Sequence, residues 1–124
     1  MRHHCKRNNL NRAKDQKTAL LRSLARELVK YGHIETTLSK AKVLRTYIEK
    51  LITKAIKSIK TEEISQRVHY LRLIRRELAP EILPILVKAA ENLKERPGGY
   101  TRIIKQGSRR GDNTQMSIIQ ILDN

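Results

Sequence analysis

Apolar side chains recur at helical spacing over most of the chain, and they predict four helices. The first helix covers about residues 16–31, and Gly32 ends it in a left-handed conformation. Its expected buried stripe is Leu20, Leu21, Leu24, Leu28 and Tyr31. The second helix covers about residues 39–59, with Thr37 or Ser39 as the capping residue. Its expected buried face is Ala41, Leu44, Ile48, Leu51, Ile52, Ala55 and Ile59.

The third and fourth helices are separated by prolines. The third begins after Thr61, whose hydroxyl is expected to cap it. Its expected core face is Ile64, Val68, Leu71, Ile74 and Leu78. Pro80 and Pro84 end that helix and restart a fourth one, which continues to about residue 95. The expected inward side chains of the fourth helix are Ile82, Leu86, Ala89, Ala90 and Leu93.

Three segments rich in β-branched residues, 33–37, 100–106 and 116–122, predict strands. The last two flank a glycine-bounded loop at 107–114 and therefore form a hairpin, to which the first strand adds. The predicted fold class is α+β, with about four helices packed on a small antiparallel sheet of about three strands. Residues 1–15 have little to bury and are expected to form an extended basic arm, followed by a single α+β domain over 16–124.

The charge of the chain indicates that this α+β fold belongs to a binding protein. The 124 residues include 27 Lys and Arg but only 12 Asp and Glu, a net charge of +15. The excess lies in segments 1–15, 16–60 and 96–124, whereas acids and bases balance over 61–95. A field of this sign attracts polyanions, and phosphate backbones are the commonest of these. Aromatic residues are only 3% of the chain, which argues against modules that stack bases on aromatic side chains.

The candidate contacts are cations in four places. The arm carries Arg2, Lys6, Arg7, Arg12 and Lys14. The first two helices carry the ridges Arg22, Arg26, Lys30 and Lys50, Lys54, Lys57, with Lys40 and Lys42 in the first turn of the second helix. The hairpin loop adds Arg109 and Arg110, whose guanidinium groups match phosphate oxygens.

No comparable pattern supports catalysis or metal binding. Cys5 is the single cysteine, so an internal disulfide is impossible and a thiolate zinc site lacks its ligands. His33 and His69 have no acid, base or metal-ligand partner at motif spacing. We therefore expect a protein that is not an enzyme and has no cofactor, no metal and no small-molecule substrate.

Seven sequence blocks, in order along the chain, resemble one known family. They are Met1-Arg2-His3, Leu10-Asn11-Arg12, His33-Ile34-Glu35-Thr36-Thr37, Lys40-Ala41-Lys42, Glu49-Lys50-Leu51-Ile52-Thr53, Arg96-Pro97-Gly98-Gly99-Tyr100-Thr101-Arg102-Ile103 and Arg109-Arg110-Gly111-Asp112. The family is the bacterial-type ribosomal protein seventeen of the large subunit. The resemblance covers residues 1 to about 122, with a divergent middle over 58–92.

This resemblance implies a structural constituent of the large ribosomal subunit that binds ribosomal RNA beside neighbouring ribosomal proteins. It implies a place in the cytoplasm, in a bacterial ribosome or an organellar one. The sequence has no stretch of 18 uninterrupted apolar residues, so no contact with a membrane is expected. With the charge pattern, it predicts RNA contacts at Arg2, His3, Lys6, Arg7, Asn11, Arg12, Lys14, Arg22, Arg26, Lys40, Lys42, Arg45, Lys50, Lys54, Arg96, Tyr100, Arg102, Arg109 and Arg110.

Two alternatives stay open at this point. The helices at 16–31 and 39–59 could form a helix-turn-helix that binds DNA, although the spacer from Gly32 to Leu38 is longer than the usual turn. A small ribonuclease built on His33 and His69 is the alternative from another class.

Overall fold

The computed structural model describes residues 8–123. Four helices and three strands lie within this range, and the α+β fold class is confirmed. In chain order they are α1 (Lys14–Tyr31), β1 (His33–Thr37), α2 (Leu38–Lys60), α3 (Ile64–Glu77), α4 (Leu83–Leu93), β2 (Thr101–Ser108) and β3 (Gln115–Ile121). The division into an arm over 1–15 and a domain over 16–124 stays a prediction, although α1 already begins at Lys14.

Helix α2 lies at the centre of the fold. Its apolar face, which includes the fully buried Leu44, Ile48 and Ile52, matches the predicted stripe. It contacts α1, α3, α4 and the inner side of the sheet, and these neighbours bury Leu28, Leu86 and Ile119. One long amphipathic helix therefore organises the hydrophobic core.

The sheet is antiparallel, with strand order β1-β3-β2. The predicted hairpin is confirmed, and the predicted third strand, β1, pairs with β3, which makes β3 central. Ile119 pairs with Ile34 on one side and Ile103 on the other, and this row faces the helices. A bulge between Lys105 and Gly107 increases the local twist before the hairpin turn. Because β2 extends to Ser108, the turn is shorter than predicted and covers 109–114.

Three predicted core positions are wrong: Tyr31 on α1, and Ile64 and Val68 on α3. Tyr31 is 60% exposed, because it lies about 100° around α1 from the buried stripe that contains Leu28. Ile64 is 78% exposed and Val68 is also exposed. Both lie about 80–120° around α3 from Ile74, the residue that packs into the core.

The predicted role of Thr61 is also wrong. Its hydroxyl donates to the carbonyl of Lys57 at 2.7 Å, so Thr61 ends α2 and does not cap α3. The last carbonyls of α2 have no hydrogen-bond partner within the helix and lie nearest to the Thr61 hydroxyl, which explains why the hydroxyl bonds there. Glu63 is the residue before α3, and its carboxylate accepts bonds from Ser65 and Gln66. Thr37 precedes α2 as predicted, but within the described residues its hydroxyl makes no capping bond.

Candidate nucleic-acid interface

Residues 9–12, which precede α1, lie beside the start of α2. Leu10 and Asn11 both have φ of 53°, and the Arg12 N–H donates to the Asn9 carbonyl at 3.0 Å. This turn and the first residues of α2 line an open cleft of about 760 Å³. Three predicted contacts from distant parts of the sequence line this cleft: Asn11, Arg12 and Lys40. Arg2, His3, Lys6 and Arg7 are outside the described residues.

The predicted cations of α2 fall on two sides of the helix. By helical rotation, Lys42 and Arg45 lie on the side of Glu49, which bonds to strand β2. Lys50 and Lys54 lie on the other side. The α2 cations therefore form two strips on different sides of the helix.

Arg22, Tyr47 and Glu77 connect helices α1, α2 and α3. The Tyr47 hydroxyl donates to Glu77 Oε2 at 2.6 Å, and Arg22 Nε donates to the same oxygen at 3.3 Å. The bond from Tyr47 is the main cause that lowers the pKa of Glu77, with Arg22 adding to it. Burial is the main cause that raises the pKa of Tyr47, and the bond to Glu77 raises the pKa of Arg22. The cluster thus keeps a charged carboxylate beside a charged guanidinium.

The hairpin turn has an internal scaffold. The Asp112 carboxylate accepts two bonds from the Arg109 guanidinium and one from the Thr114 N–H at 3.1 Å. The Arg109 N–H donates to the Thr114 carbonyl at 2.8 Å. These bonds, with Arg109 as the main cause, lower the pKa of Asp112 far below its usual range. Of the two predicted arginines, Arg109 is thus held by Asp112, and Arg110 is exposed and has no ion pair among the described residues.

The segment 96–103, at the start of β2, has several structural roles. Tyr100 is only 5% exposed and belongs to the hydrophobic core, so its side chain offers little surface to a ligand. The neighbouring main chain is held by Glu49, whose carboxylate accepts bonds from the N–H groups of Tyr100 and Thr101. Arg102 is exposed on the outer side of the sheet, and Arg96 is half-buried beside it in a cleft of about 600 Å³.

Sequence reasoning missed Glu49, Tyr47 and Glu77 as structural groups, and it missed Arg75 and Arg76 as part of a basic surface. The signal that could have identified Glu49 as a structural group is that it is an acid in the most basic segment of the chain. Arg75 and Arg76 were missed because acids and bases are equal in number over 61–95, and the count does not show where in the fold they lie.

The structure argues against the DNA-binding helix-turn-helix alternative. The segment between α1 and α2 is strand β1, which pairs with β3 from His33 to Thr37 and is not the turn of a helix-turn-helix. His33 lies on this strand and His69 on α3, where its ring packs edge-on against Tyr70 at 5.7 Å. Within residues 8–123, no cluster of three or more His, Cys, Asp or Glu side chains could hold a metal, and no helix could span a membrane.

These features define a small basic α+β protein whose cations are spread over an arm, two helices and a hairpin. The family model described as Ribosomal protein L17 matches residues 20–122. The large ribosomal subunit protein bL17 of Fervidobacterium nodosum is 44% identical, over 99% of this chain and 100% of its own length. The protein of the same name from Thermotoga neapolitana is 41% identical, over 99% of this chain and 95% of its own. That of Gemmatimonas aurantiaca is 42% identical, over 98% of each.

The chain belongs to the L17 family of ribosomal proteins. It is accordingly a structural protein of the large ribosomal subunit, and the resemblance read from the sequence blocks is confirmed.

Proposed function

We propose that this chain binds large-subunit ribosomal RNA in the cytoplasmic ribosome of a bacterium and holds several RNA segments in register. Contacts come from the arm, the two strips of α2, the exposed arginines of α1 and the hairpin turn. The protein acts by binding alone and catalyses no reaction.

One observation carries this proposal. Most of the predicted cations have no acidic partner within the described residues, whereas Arg22, Arg26 and Arg109 do. The cations without such a partner include Arg12, Lys14, Lys40, Lys42, Arg45, Lys50, Arg102 and Arg110. A net charge of +15, with few ion pairs within residues 8–123, repels itself, and a surrounding polyanion removes that repulsion.

The chemistry favours recognition of RNA shape through phosphates. Tyr100 is buried and provides no stacking platform for bases, and the Lys30 ammonium, 5.1 Å from the ring centroid, occupies one face of Tyr31. Binding through cations alone releases counterions and is therefore strongly dependent on salt.

Neighbouring ribosomal proteins are the second class of partner. Ile64 and Val68 are exposed apolar side chains one helical turn apart on α3. They lie where the sequence has no excess of positive charge. A protein surface suits them better than a phosphate backbone does.

The test is association with large-subunit particles through a salt gradient, using the full chain and a variant without residues 1–14. The full chain should sediment with the particles. The deletion should weaken association and reduce its dependence on salt, because fewer phosphates are neutralised. A matched control replaces Lys88 of α4 and Lys94, the residue that follows α4, by Gln, which removes charge outside the proposed contacts.

Competition separates this proposal from the alternatives. Excess duplex DNA should not displace the full chain from structured ribosomal RNA fragments, and preference for a short DNA duplex would contradict the proposal. RNA incubated with the protein and a chelator should stay intact. Cleavage that disappears in His33→Ala and His69→Ala variants would contradict the absence of catalysis.

A further inference from the structure

A groove of about 410 Å³ between α1 and the end of α3 collects four arginines. Arg22 and Arg26 lie on one side, and Arg75 and Arg76 lie on the other. The two pairs are separated by about fifty residues of sequence, and they reach one surface because both helices pack against α2. Their joint placement is a property of the fold that the charge count of each segment conceals.

We propose that this groove binds the sugar–phosphate backbone of an RNA segment, with Arg75 and Arg76 as its principal contacts. The proposal rests on the proposed function and adds a binding surface to it. Arginine suits this role because its planar guanidinium forms two parallel bonds to phosphate oxygens and never loses its charge.

The charge balance of the groove favours an anion. Arg22 is paired with Glu77 at 3.3 Å and Arg26 with Glu27 at 3.3 Å. Arg75 and Arg76 are exposed, and within the described residues neither forms an ion pair. Two positive charges therefore remain without internal compensation on this surface.

The α1 wall of the groove has one arginine that contacts within the protein hold in place, whereas Arg75 and Arg76 on the other wall are not held in this way by any described residue. Arg22 is held by Glu77, which is itself held by the Tyr47 hydroxyl at 2.6 Å from the centre of the fold. A contact that is already ordered loses less conformational entropy on binding than a free surface arginine does.

Stabilisation of the helix dipole is the ordinary explanation for Arg75 and Arg76, since both lie in the last turn of α3. That effect accounts for cations at a helix end, but it does not require them to face Arg22 and Arg26 of another helix. The groove proposal therefore predicts that loss of Arg75 and Arg76 weakens RNA binding, whereas stabilisation of the helix dipole alone predicts no such loss.

The experiment measures binding to the in vitro transcribed large-subunit ribosomal RNA of Thermotoga maritima, whose bL17 protein is 40% identical to this chain. The affinity is followed over a range of KCl concentrations. The double variant Arg75→Gln and Arg76→Gln should bind several-fold more weakly. Its slope of log affinity against log salt should fall by about 1.5, as expected when two phosphate contacts are lost. Arg75→Lys with Arg76→Lys, which keeps both charges, should retain most of the slope.

The matched control is Arg67→Gln with Lys88→Gln, two exposed cations outside the groove. Its slope should stay close to that of the unchanged protein. Equal slopes for the Arg75/Arg76 variant and the unchanged protein would overturn the groove proposal. Equal losses in both Gln variants would also overturn it, because the effect would then be one of net charge. Failure of the unchanged protein to prefer this RNA over duplex DNA would instead refute the proposed function.

A second measurement leaves the arginines in place, so it does not depend on how well their variants fold. Cys5 is replaced by Ser and Ser23, which lines the groove, by Cys carrying a tethered iron chelate. Hydroxyl radicals generated there should cut the RNA at a defined set of nucleotides. The same probe at Lys88→Cys should not cut that set. No cutting from position 23 above the level from position 88 would overturn the proposal.

Discussion

Glu49 binds Thr101 through both the backbone and the side chain of the threonine. Its Oε1 atom accepts from the Thr101 N–H at 2.9 Å and from the Thr101 hydroxyl at 2.7 Å. Its Oε2 atom accepts from the N–H of Tyr100 at 3.2 Å. A single carboxylate on α2 therefore satisfies the polar groups at the start of β2 and attaches the sheet to the central helix.

Removal of this carboxylate should destabilise the protein. Glu49→Ala leaves two N–H groups and a hydroxyl without their acceptor, so we expect the free energy of unfolding to fall by about 3 kcal/mol. Urea denaturation measures the change. Glu35→Ala, which removes an exposed acid from β1, should change the same quantity by less than about 0.5 kcal/mol. A loss below about 1 kcal/mol in Glu49→Ala would contradict the role of this residue.

The Tyr47 hydroxyl is the second strong polar contact of the core. Tyr47→Phe removes the 2.6 Å bond to Glu77, and we expect it to lower the free energy of unfolding by about 1–2 kcal/mol at neutral pH. The control is Tyr70→Phe, because the Tyr70 hydroxyl makes no hydrogen bond within residues 8–123. If both variants lose the same amount, the bond to Glu77 contributes nothing.

The same cluster predicts a loss of stability in acid. The pKa of Glu77 is lowered in the folded protein from the ordinary 4.5, so its contribution is present above about pH 4.5 and is lost as pH falls through the folded value. The free energy of unfolding should therefore decrease below about pH 4.5, and less so in Tyr47→Phe, whose Glu77 pKa should move back up. Carbon-detected NMR titration of Glu77 in both proteins checks the direction. An unchanged Glu77 pKa in the variant would exclude Tyr47 as the main cause.

Local patterns predicted the elements well because each depends on spacing along a single segment. The helical period of α2 places Leu44, Ile48 and Ile52 on one side whatever the rest of the chain does. Gly32 ends α1 as predicted, since its left-handed φ of 78° is easiest for glycine. The paired strands followed from the β-branched segments and the loop between them.

The features that the sequence did not predict depend on contacts between segments, and spacing along one segment does not determine these contacts. Ile64 continues the apolar pattern of α3 but lies outside the core because Ile74 sets the rotation of the helix. Glu77 is an ordinary acid in the sequence, and only helix packing places it between Tyr47 and Arg22. The basic groove at Arg75 and Arg76 was missed for the same reason, since its opposite wall comes from α1.

The end of α1 offers a test of backbone conformation alone. Gly32 has φ of 78°, its N–H donates to Leu28 at 2.8 Å, and its carbonyl accepts from Ile121 at 2.9 Å. Gly32→Ala places a side chain in open space but in a strained conformation, so we expect a loss of about 1 kcal/mol in the free energy of unfolding. Gly98→Ala, which has equal space and no positive φ, should be neutral or slightly stabilising. Equal effects at the two positions would contradict the assigned role of Gly32.

Variants of the hairpin turn distinguish the contribution of charge to RNA binding from the contribution of an ordered turn conformation. Asp112→Ala removes a negative charge, which by electrostatics alone should strengthen binding to a polyanion. It also removes the bonds that hold Arg109 and the Thr114 N–H. We expect faster hydrogen exchange at the Thr114 amide, an unchanged melting temperature and weaker binding to ribosomal RNA, because Arg109 must then be ordered on binding. Arg110→Gln should weaken binding without changing exchange at Thr114, since the exposed Arg110 is not part of the scaffold. Tighter binding by Asp112→Ala would mean that the turn contributes charge alone.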